Sequence, residues 1–325
     1  MKMKPFDIAA LGEALIDFTP AGTTPDGKNL FEQNPGGAPL NVLAMAAKLG
    51  MRTAMISKVG NDGFGRFLRG TAENAGIDVT YVLTDPQIPT TAAFVQLQEN
   101  GERSFSFYRK PGADVMLREE EVPEEVLSSC RIFHFGGVSL TDEPCRTATL
   151  AAAGKAKDRG AFVSYDPNYR PLLWNGERRA ARELKSALRL ADLVKVSEEE
   201  MTLLTGTEDI ETGSELLLRE GPSAVLVTCG ENGSYVRTGE LFLREASFPV
   251  DAVDTTGAGD AFTGTLLSCL AEESDIQSCA SFSERRWREI LRKANAAGAL
   301  TATKKGAIPA LPSEEQIGAL AGGSR

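Results

Sequence analysis

The sequence is poor in residues on which several large classes of function depend. Its five cysteines (Cys130, Cys145, Cys229, Cys269 and Cys279) are odd in number, irregularly spaced and never arranged as C-x-x-C. That argues against a disulfide framework or a zinc site and reads as buried thiols. The single histidine, His134, sits among Ile132, Phe133 and Phe135; it is expected in the core or at a strand end rather than in catalysis. Long basic runs are absent, and Arg285-Arg286-Trp287-Arg288 reads as a solvated helix face. With 35 basic and 45 acidic residues the net charge is −10, a surface that repels polyanions, so no nucleic-acid partner is expected. No apolar run reaches the roughly 18 residues of a membrane span, so no membrane partner is expected. Residues 1–7 lack the apolar core of a signal peptide, which leaves the cytoplasm as the expected location. No G-x-x-x-x-G-K-S/T occurs, closing the P-loop route to a nucleotide. There is no internal repeat and no low-complexity segment.

What is present is ordinary for a soluble α/β protein. The 325 residues are 42% hydrophobic and 25% charged, and a chain of this size buries most of its surface without disulfide or metal staples. Short apolar runs at 8–11, 53–59, 131–135, 161–165, 193–196 and 224–228 read as strands. Between them, 39–49, 63–75, 144–159, 178–191 and 199–205 carry helical patterns. This alternation predicts a three-layer αβα architecture with a mainly parallel central sheet. One region breaks the pattern: extended runs at 90–97 and 103–108 flank Asn100-Gly101, a hairpin signal because both residues tolerate positive φ. With 15–20 and 30–34 they are expected to form a small β lid, inserted at about 15–35 and 88–112 in one domain spanning 1–325. A second hairpin is expected at Glu231-Asn232-Gly233, then helices over 259–271 and about 284–303, and a frayed tail over 318–325.

The most informative stretch is Asp254-Thr255-Thr256-Gly257-Ala258-Gly259-Asp260-Ala261-Phe262. It is a Gly-rich turn running into an apolar helix, where successive backbone N–H groups make an anion site. A carboxylate inside such a turn would repel a stored anion. It makes sense if Asp260 takes the proton of an attacking hydroxyl beside a phosphate, as phosphoryl transfer requires. The competing reading is a tight turn whose Asp260 caps the helix. A dinucleotide fingerprint is disfavoured because Phe262 stands where its third glycine belongs. The second stretch, Gly36-Gly37-Ala38-Pro39-Leu40-Asn41, lets a small ligand approach closely and offers it both a donor and an acceptor at Asn41. It also reads as a plain loop-to-helix junction with Pro39 in the first turn.

These two stretches, with Gly60-Asn61-Asp62-Gly63-Phe64-Gly65 between them, resemble the signature regions of the ribokinase-like (PfkB) carbohydrate kinases, in the family's order and at its distances. The resemblance runs from Gly12-Glu13-Ala14-Leu15-Ile16-Asp17 to Gly306-Ala307-Ile308-Pro309-Ala310-Leu311-Pro312. Within the family the middle of the chain is most similar to fructokinases of the plant and bacterial type. The similarity is carried by Ile132-Phe133-His134-Phe135-Gly136, Asp142-Glu143-Pro144-Cys145-Arg146, Tyr165-Asp166-Pro167-Asn168-Tyr169-Arg170 and Lys195-Val196-Ser197-Glu198-Glu199-Glu200. The resemblance implies a ribokinase-like sandwich with a β lid.

It also implies roles. Asp260 is the general base, and the N–H groups of Gly257, Ala258 and Gly259 form the anion hole. Arg170 reaches a phosphate oxygen, for which its fork of donors is suited. Asp17, Gly36, Gly37 and Asn41 match sugar-binding positions, with Asp17 at the end of the first strand run. Phe107 and Arg109 match lid residues that face the sugar; Phe94 roofs the pocket or packs the lid core. Lys195, Ser197, Glu200, Thr228, Gly230, Gly233 and Asn295 match the ATP side. Ser197 replaces the family's asparagine, and Glu200 is expected to hold Mg²⁺ through water. Asp254 and Thr256 match a monovalent-cation site for K⁺. The expected reaction is D-fructose plus ATP to fructose 6-phosphate and ADP. The alternatives are a 2-keto-3-deoxygluconate kinase, in which Arg109 pairs with the substrate carboxylate, another small-sugar kinase, and a non-catalytic sugar- or nucleotide-binding protein. A homodimer through the β lids is expected, because an exposed hairpin edge invites pairing.

Overall fold

The computed structural model describes residues 5–97 and 103–323. The described strands are β1 (Phe6–Leu11), β2 (Leu15–Thr23), β3 (Asn29–Gly36), β4 (Thr53–Gly60), β5 (Ile77–Asp78), β6 (Val82–Asp85), β7 (Ala92–Leu97), β8 (Arg103–Tyr108), β9 (Cys130–Gly136), β10 (Phe162–Asp166), β11 (Leu193–Ser197), β12 (Ala224–Thr228), β13 (Ser234–Arg237) and β14 (Phe242–Glu245). The helices are α1 (Ala38–Lys48), α2 (Gly63–Asn74), α3 (Glu124–Ser129), α4 (Cys145–Asp158), α5 (Glu177–Ala187), α6 (Glu198–Thr205), α7 (Ile210–Leu218), α8 (Ala258–Ala271), α9 (Glu284–Ala302) and α10 (Glu314–Gly322).

The main sheet runs β14-β13-β12-β11-β10-β9-β1-β4-β5, with β6 also paired to β4. It is parallel from β5 to β12 and antiparallel only at β12–β13 and β13–β14. Side chains on a strand alternate between faces, and here both faces are apolar. Ile8 and Ala10 of β1 join one core cluster, while Ala9 and Leu11 join the other. β12 repeats this, with Ala224 and Leu226 on one side and Val225 and Val227 on the other. Helices α1, α2, α8, α9 and α10 cover the first face, and α3 to α7 the second. That is the three-layer order expected for a parallel sheet, whose strands must be buried on both sides.

Four strands stand apart in the order β3-β2-β7-β8. They form the lid. Its outer face carries an aromatic cluster in which Phe18 stacks on Phe94 at 4.6 Å and Phe31 and Tyr108 meet Phe94 edge-on. Phe94 therefore packs within the lid and does not roof the cleft. The Asn100-Gly101 turn lies outside the described residues.

Two expectations need correction. Asp17 lies on lid strand β2, not at the end of the first strand, because Gly12 breaks β1 from β2. The tail is not frayed from residue 318: α10 extends to Gly322, started by a reciprocal capping box between Ser313 and Gln316. Strands β5, β6 and β14 and helices α3 and α7 lacked a clear periodic signal because they are only two to nine residues long.

Helices α1 and α8 cross at Gly264, where a Cβ would lie 2.6 Å from the Val42 carbonyl oxygen and 2.7 Å from Met45 Cβ. Gly264→Ala should therefore lower the stability by about 1–3 kcal/mol through overpacking. Gly70, inside α2, has open space where its Cβ would stand, and Gly70→Ala should gain about 0.5–1 kcal/mol. Denaturant titration of the two variants checks the opposite signs.

Candidate active site

Between the lid and the C-terminal edge of the main sheet lies a cleft of about 2060 Å³. This exceeds the roughly 300–1,000 Å³ of a pocket for one small ligand, and it has room for two side by side. Neighbours β1 and β9 are followed by helices on opposite faces of the sheet, α1 on one and α4 on the other, and such a switch point opens a crevice at the strand ends.

The N-terminus of α8 points into this cleft. Asp260 stands in its first turn, half-buried, and its Oδ2 accepts a hydrogen bond from Asn41 Nδ2 at 2.8 Å. The residue at the cap position is Gly257, which makes no side-chain cap, so Asp260 is not a capping residue. Burial pushes the Asp260 carboxyl above its ordinary value and Asp166 adds to the rise; Asn41, Lys195 and Arg170 work against it. Gly257 passes so close to Ala307 that a Cβ would meet its methyl at 2.7 Å. The three expected anion-hole donors are not equivalent: the Ala258 N–H already donates to Thr255 O at 3.2 Å. Gly257 and Gly259 line the cleft.

A buried charge cluster backs this centre. Lys195 Nζ lies 3.1 Å from Asp166 Oδ2, and a side chain at Gly259 would meet that ammonium at 3.4 Å. Burial opposes the Lys195 charge, but Asp166, Glu200 and Asp260 hold its pKa above the ordinary value. Glu200 is buried and its pKa is raised by desolvation and by Asp166. Its Oε1 accepts from Tyr169 N at 2.7 Å and its Oε2 from Ser197 N at 2.8 Å. Ser197 in turn accepts from Glu200 N, so the two form a capping box that starts α6. Asn168 has a φ of 40°, a conformation that costs energy away from glycine. Its N–H donates to Asp166 Oδ1 at 2.9 Å. The turn turns Arg170 into the cleft, where its charge draws down both Asp17 and Asp260.

At the lid end, Asp17, Gly37, Asn41 and Phe107 all line the cleft. Gly36 does not, but it is needed there: a Cβ would collide with Asp17 Oδ2. Gly37 has a φ of 115° and runs against the Glu13 carbonyl. Burial raises Asp17 to about 6, with Asp260 adding and Arg170 opposing.

Arg109 is a correction. It is 5% exposed, and its guanidinium is tied to Asp114 Oδ2 at 2.7 Å, Thr141 Oγ1 at 2.6 Å and Val138 O at 3.2 Å. A buried guanidinium needs a carboxylate partner; Asp114 supplies it, and Arg109 does not line the cleft. Asn295 is a second correction: its amide donates to the carbonyls of Glu245 and Ala246, so it braces the end of β14. Thr228, Gly230 and Gly233 share the sheet edge beyond Ser197 but lie outside the residues lining the cleft. Ser197 lines it.

Asp254 accepts from Thr256 N, Thr256 Oγ1 and Gly306 N, stapling the loop before α8 to the 306 turn. Among the described residues no set of three His, Cys, Asp or Glu side chains converges as a metal site. His134 is buried on Ser164 Oγ, its pKa lowered to about 4 by burial. All five cysteines are buried and none is in a disulfide. Glu13 and Asp166 are not among the expected site residues, although both stand inside segments that carry the resemblance, Glu13 in Gly12–Asp17 and Asp166 in the Asp-Pro-Asn run.

The raised pKa of Asp17 has a sign. The folded state holds this proton at pH values where the unfolded chain has lost it. Its stabilising contribution is full below about 4 and is lost as the pH rises through about 6. Relative to Asp17→Asn, the wild type should gain stability as the pH falls across that window. The KM for the cleft's ligand should rise over the same window in the wild type, as the carboxylate acceptor is lost, and stay flat in Asp17→Asn.

Residues 6–314 match the model of the family described as pfkB family carbohydrate kinase. The chain is 42% identical over 314 residues to "Fructokinase-1" of Zea mays, covering 95% of this chain and 96% of that protein. Among solved structures, a fructokinase from Xylella fastidiosa with bound ATP superposes with a TM-score of 0.90 at 34% identity, over 96% of this chain and 97% of the other. A fructokinase double mutant from Vibrio cholerae O395, in a fructose-, ADP- and potassium-bound form, gives 0.86 at 35% identity, over 98% and 99%. The chain belongs to the pfkB family of carbohydrate kinases.

Proposed function

We propose that this sugar kinase is a fructokinase, transferring the γ-phosphoryl group of ATP to the 6-hydroxyl of D-fructose. The observation that carries the reading is Asp260, a carboxylate of raised proton affinity in the first turn of α8, hydrogen-bonded to Asn41. The sugar oxygen attacks the γ-phosphorus, the bond to the β–γ bridging oxygen breaks, and the hydroxyl proton passes to Asp260, leaving ADP. A base is more effective the closer its pKa lies to the working pH, so burial serves the role. The start of α8, Lys195 and Arg170 supply positive charge where the transferring group gathers negative charge. Asp17, Gly37 and Asn41 bind the sugar, and Phe107 covers it from the lid.

Ser197 takes the nucleotide side, with Thr228, Gly230 and Gly233 farther along the same edge. Mg²⁺ supplies charge neutralisation of the phosphate oxygens. Glu200 keeps lone pairs beyond its two N–H bonds and would hold such an ion through water. The Vibrio relative's potassium-bound form supports a role for K⁺, and the loop of Asp254 and Thr256 is the place proposed for it. Buried cysteines without disulfides fit a reducing cytoplasm.

The acid-sugar alternative needed a lid arginine for the substrate carboxylate, and Arg109 is committed to Asp114. The reading as a non-catalytic binder is disfavoured by the intact Asp260.

A panel of fructose, 2-keto-3-deoxygluconate, ribose, glucose, tagatose and a nucleoside tests the assignment by coupled detection of ADP. Fructose should give the highest kcat/KM, and Asp260→Asn should cost about 10²–10⁴-fold in kcat. Turnover confined to the acid sugar, or an Asp260→Asn enzyme of near wild-type rate, would sink the reading.

The lid's outer aromatics favour a homodimer: Tyr108 is 67% and Phe31 40% exposed, and a second copy would cover both. Sedimentation should give a dimer that Tyr108→Asp dissociates; a monomeric wild type at working concentration removes the proposal.

A further inference from the structure

The four lid strands leave the body at one place, and that place is a buried polar cluster. Arg109 directly follows β8 and Thr91 directly precedes β7. Glu13 lies two residues before β2, and Ala38 two residues after the end of β3. Asp114 joins two of these roots: Oδ2 takes the Arg109 guanidinium, and Oδ1 accepts from the Thr91 hydroxyl. Glu13 joins the other two, since its Oε1 accepts from Ala38 N at 2.9 Å. Arg109 then fastens the first pair of roots to the body through Val138 O and Thr141 Oγ1, just beyond β9. Glu13 is 3% exposed, and Arg109 and Asp114 both act on its charge.

We propose that Glu13 and Arg109 are positioning residues for the reaction: the cluster they form with Asp114 fixes the roots of all four lid strands, and so sets how the lid presents Asp17 and Phe107 to the sugar. Neither side chain need touch substrate. The inference rests on the sugar-kinase reading for its kinetic consequence only, because the mechanical part concerns the free protein. The geometry explains why an arginine stands at position 109. Its planar fork reaches a carboxylate, a hydroxyl and a carbonyl at once, which a lysine cannot. It also explains the burial of Glu13 beside a glycine loop. The bond to Ala38 N stops the first turn of α1 from drifting, and Gly37 and Asn41 belong to that turn. Burial raises Glu13 to about 7, so its neutral form is well populated near neutrality; the bond to Ala38 needs only an acceptor oxygen.

The test pairs Glu13→Gln with Glu13→Ala, and Arg109→Lys with the wild type. Each is first checked for a cooperative thermal transition. Gln keeps the acceptor, so its fructose KM should stay within about twofold of wild type. Ala should lose about 10²-fold in kcat/KM for fructose, the scale of a misplacement of about 1 Å, with the KM for ATP little changed. Hydrogen exchange on the ligand-free proteins should quicken at β2, β3 and β7 in Glu13→Ala and in Arg109→Lys but not in Glu13→Gln. A residue that merely contacts the sugar would leave exchange in the free protein unchanged, and that result overturns the proposal. Equal loss in Glu13→Gln and Glu13→Ala also overturns it, since the charge and not the acceptor would then matter. Faster lid exchange with no turnover of any sugar would sustain the positioning role and overturn the kinase reading instead.

Discussion

The hydrogen bond from Asn41 to Asp260 joins residues 219 positions apart and ties the starts of α1 and α8 together. Much of the active site depends on that crossing. The Gly36-Gly37 loop enters it from the lid, and the Gly257–Gly259 turn enters it from the body. The two helices pack closely enough that Gly264 has no room for a side chain. Both loops thereby line one stretch of the cleft, with Asn41 and Asp260 in contact between them. The same bond orients the Asp260 carboxylate without neutralising it, because an amide donates a hydrogen bond but carries no charge.

Around this point the protein gathers more negative charge than it pairs. Asp166, Glu200, Asp260 and Asp17 converge, against Lys195 and Arg170. Burying like charges raises proton affinity, and the pKa values of Glu200, Asp17 and Asp260 respond in that direction. The arrangement is costly to an empty site and suited to a ligand that brings its own cations. Backbone N–H groups do the fixing: Glu200 takes two of them and Asp166 one. The strained Asn168 is held by the last of these, and Arg170 is thereby aimed into the cleft.

The lid has two faces with different work. Its inner face brings Asp17 and Phe107 to the cleft, and its outer face stacks aromatics. Strand alternation makes this possible, since Asp17 and Phe18 must point opposite ways. The roots of the lid carry the buried ion pair of Arg109 and Asp114. A broken buried pair leaves an uncompensated charge, so the lid's attachment resists partial loosening.

The sequence by itself determined the layered fold and the catalytic turn. Apolar runs alternating with helical patterns are local signals, and so is a Gly-rich turn holding an aspartate. The lid was legible too, because its extended runs interrupt the α/β rhythm. What the chain could not disclose locally was the destination of side chains whose partners are distant in sequence. Arg109 matched a sugar-facing position, yet Asp114, Thr141 and Val138 claim it. Asn295 matched a nucleotide position, yet two carbonyls about 50 residues away take its amide. Glu13 stands in the segment that opens the resemblance, yet only the arrival of Ala38 beside it gives its carboxylate a task. Periodicity and turn chemistry are read from neighbouring residues, so sequence reveals them. Which polar group satisfies which inside the protein is settled by desolvation once the elements pack, and only the tertiary structure decides that.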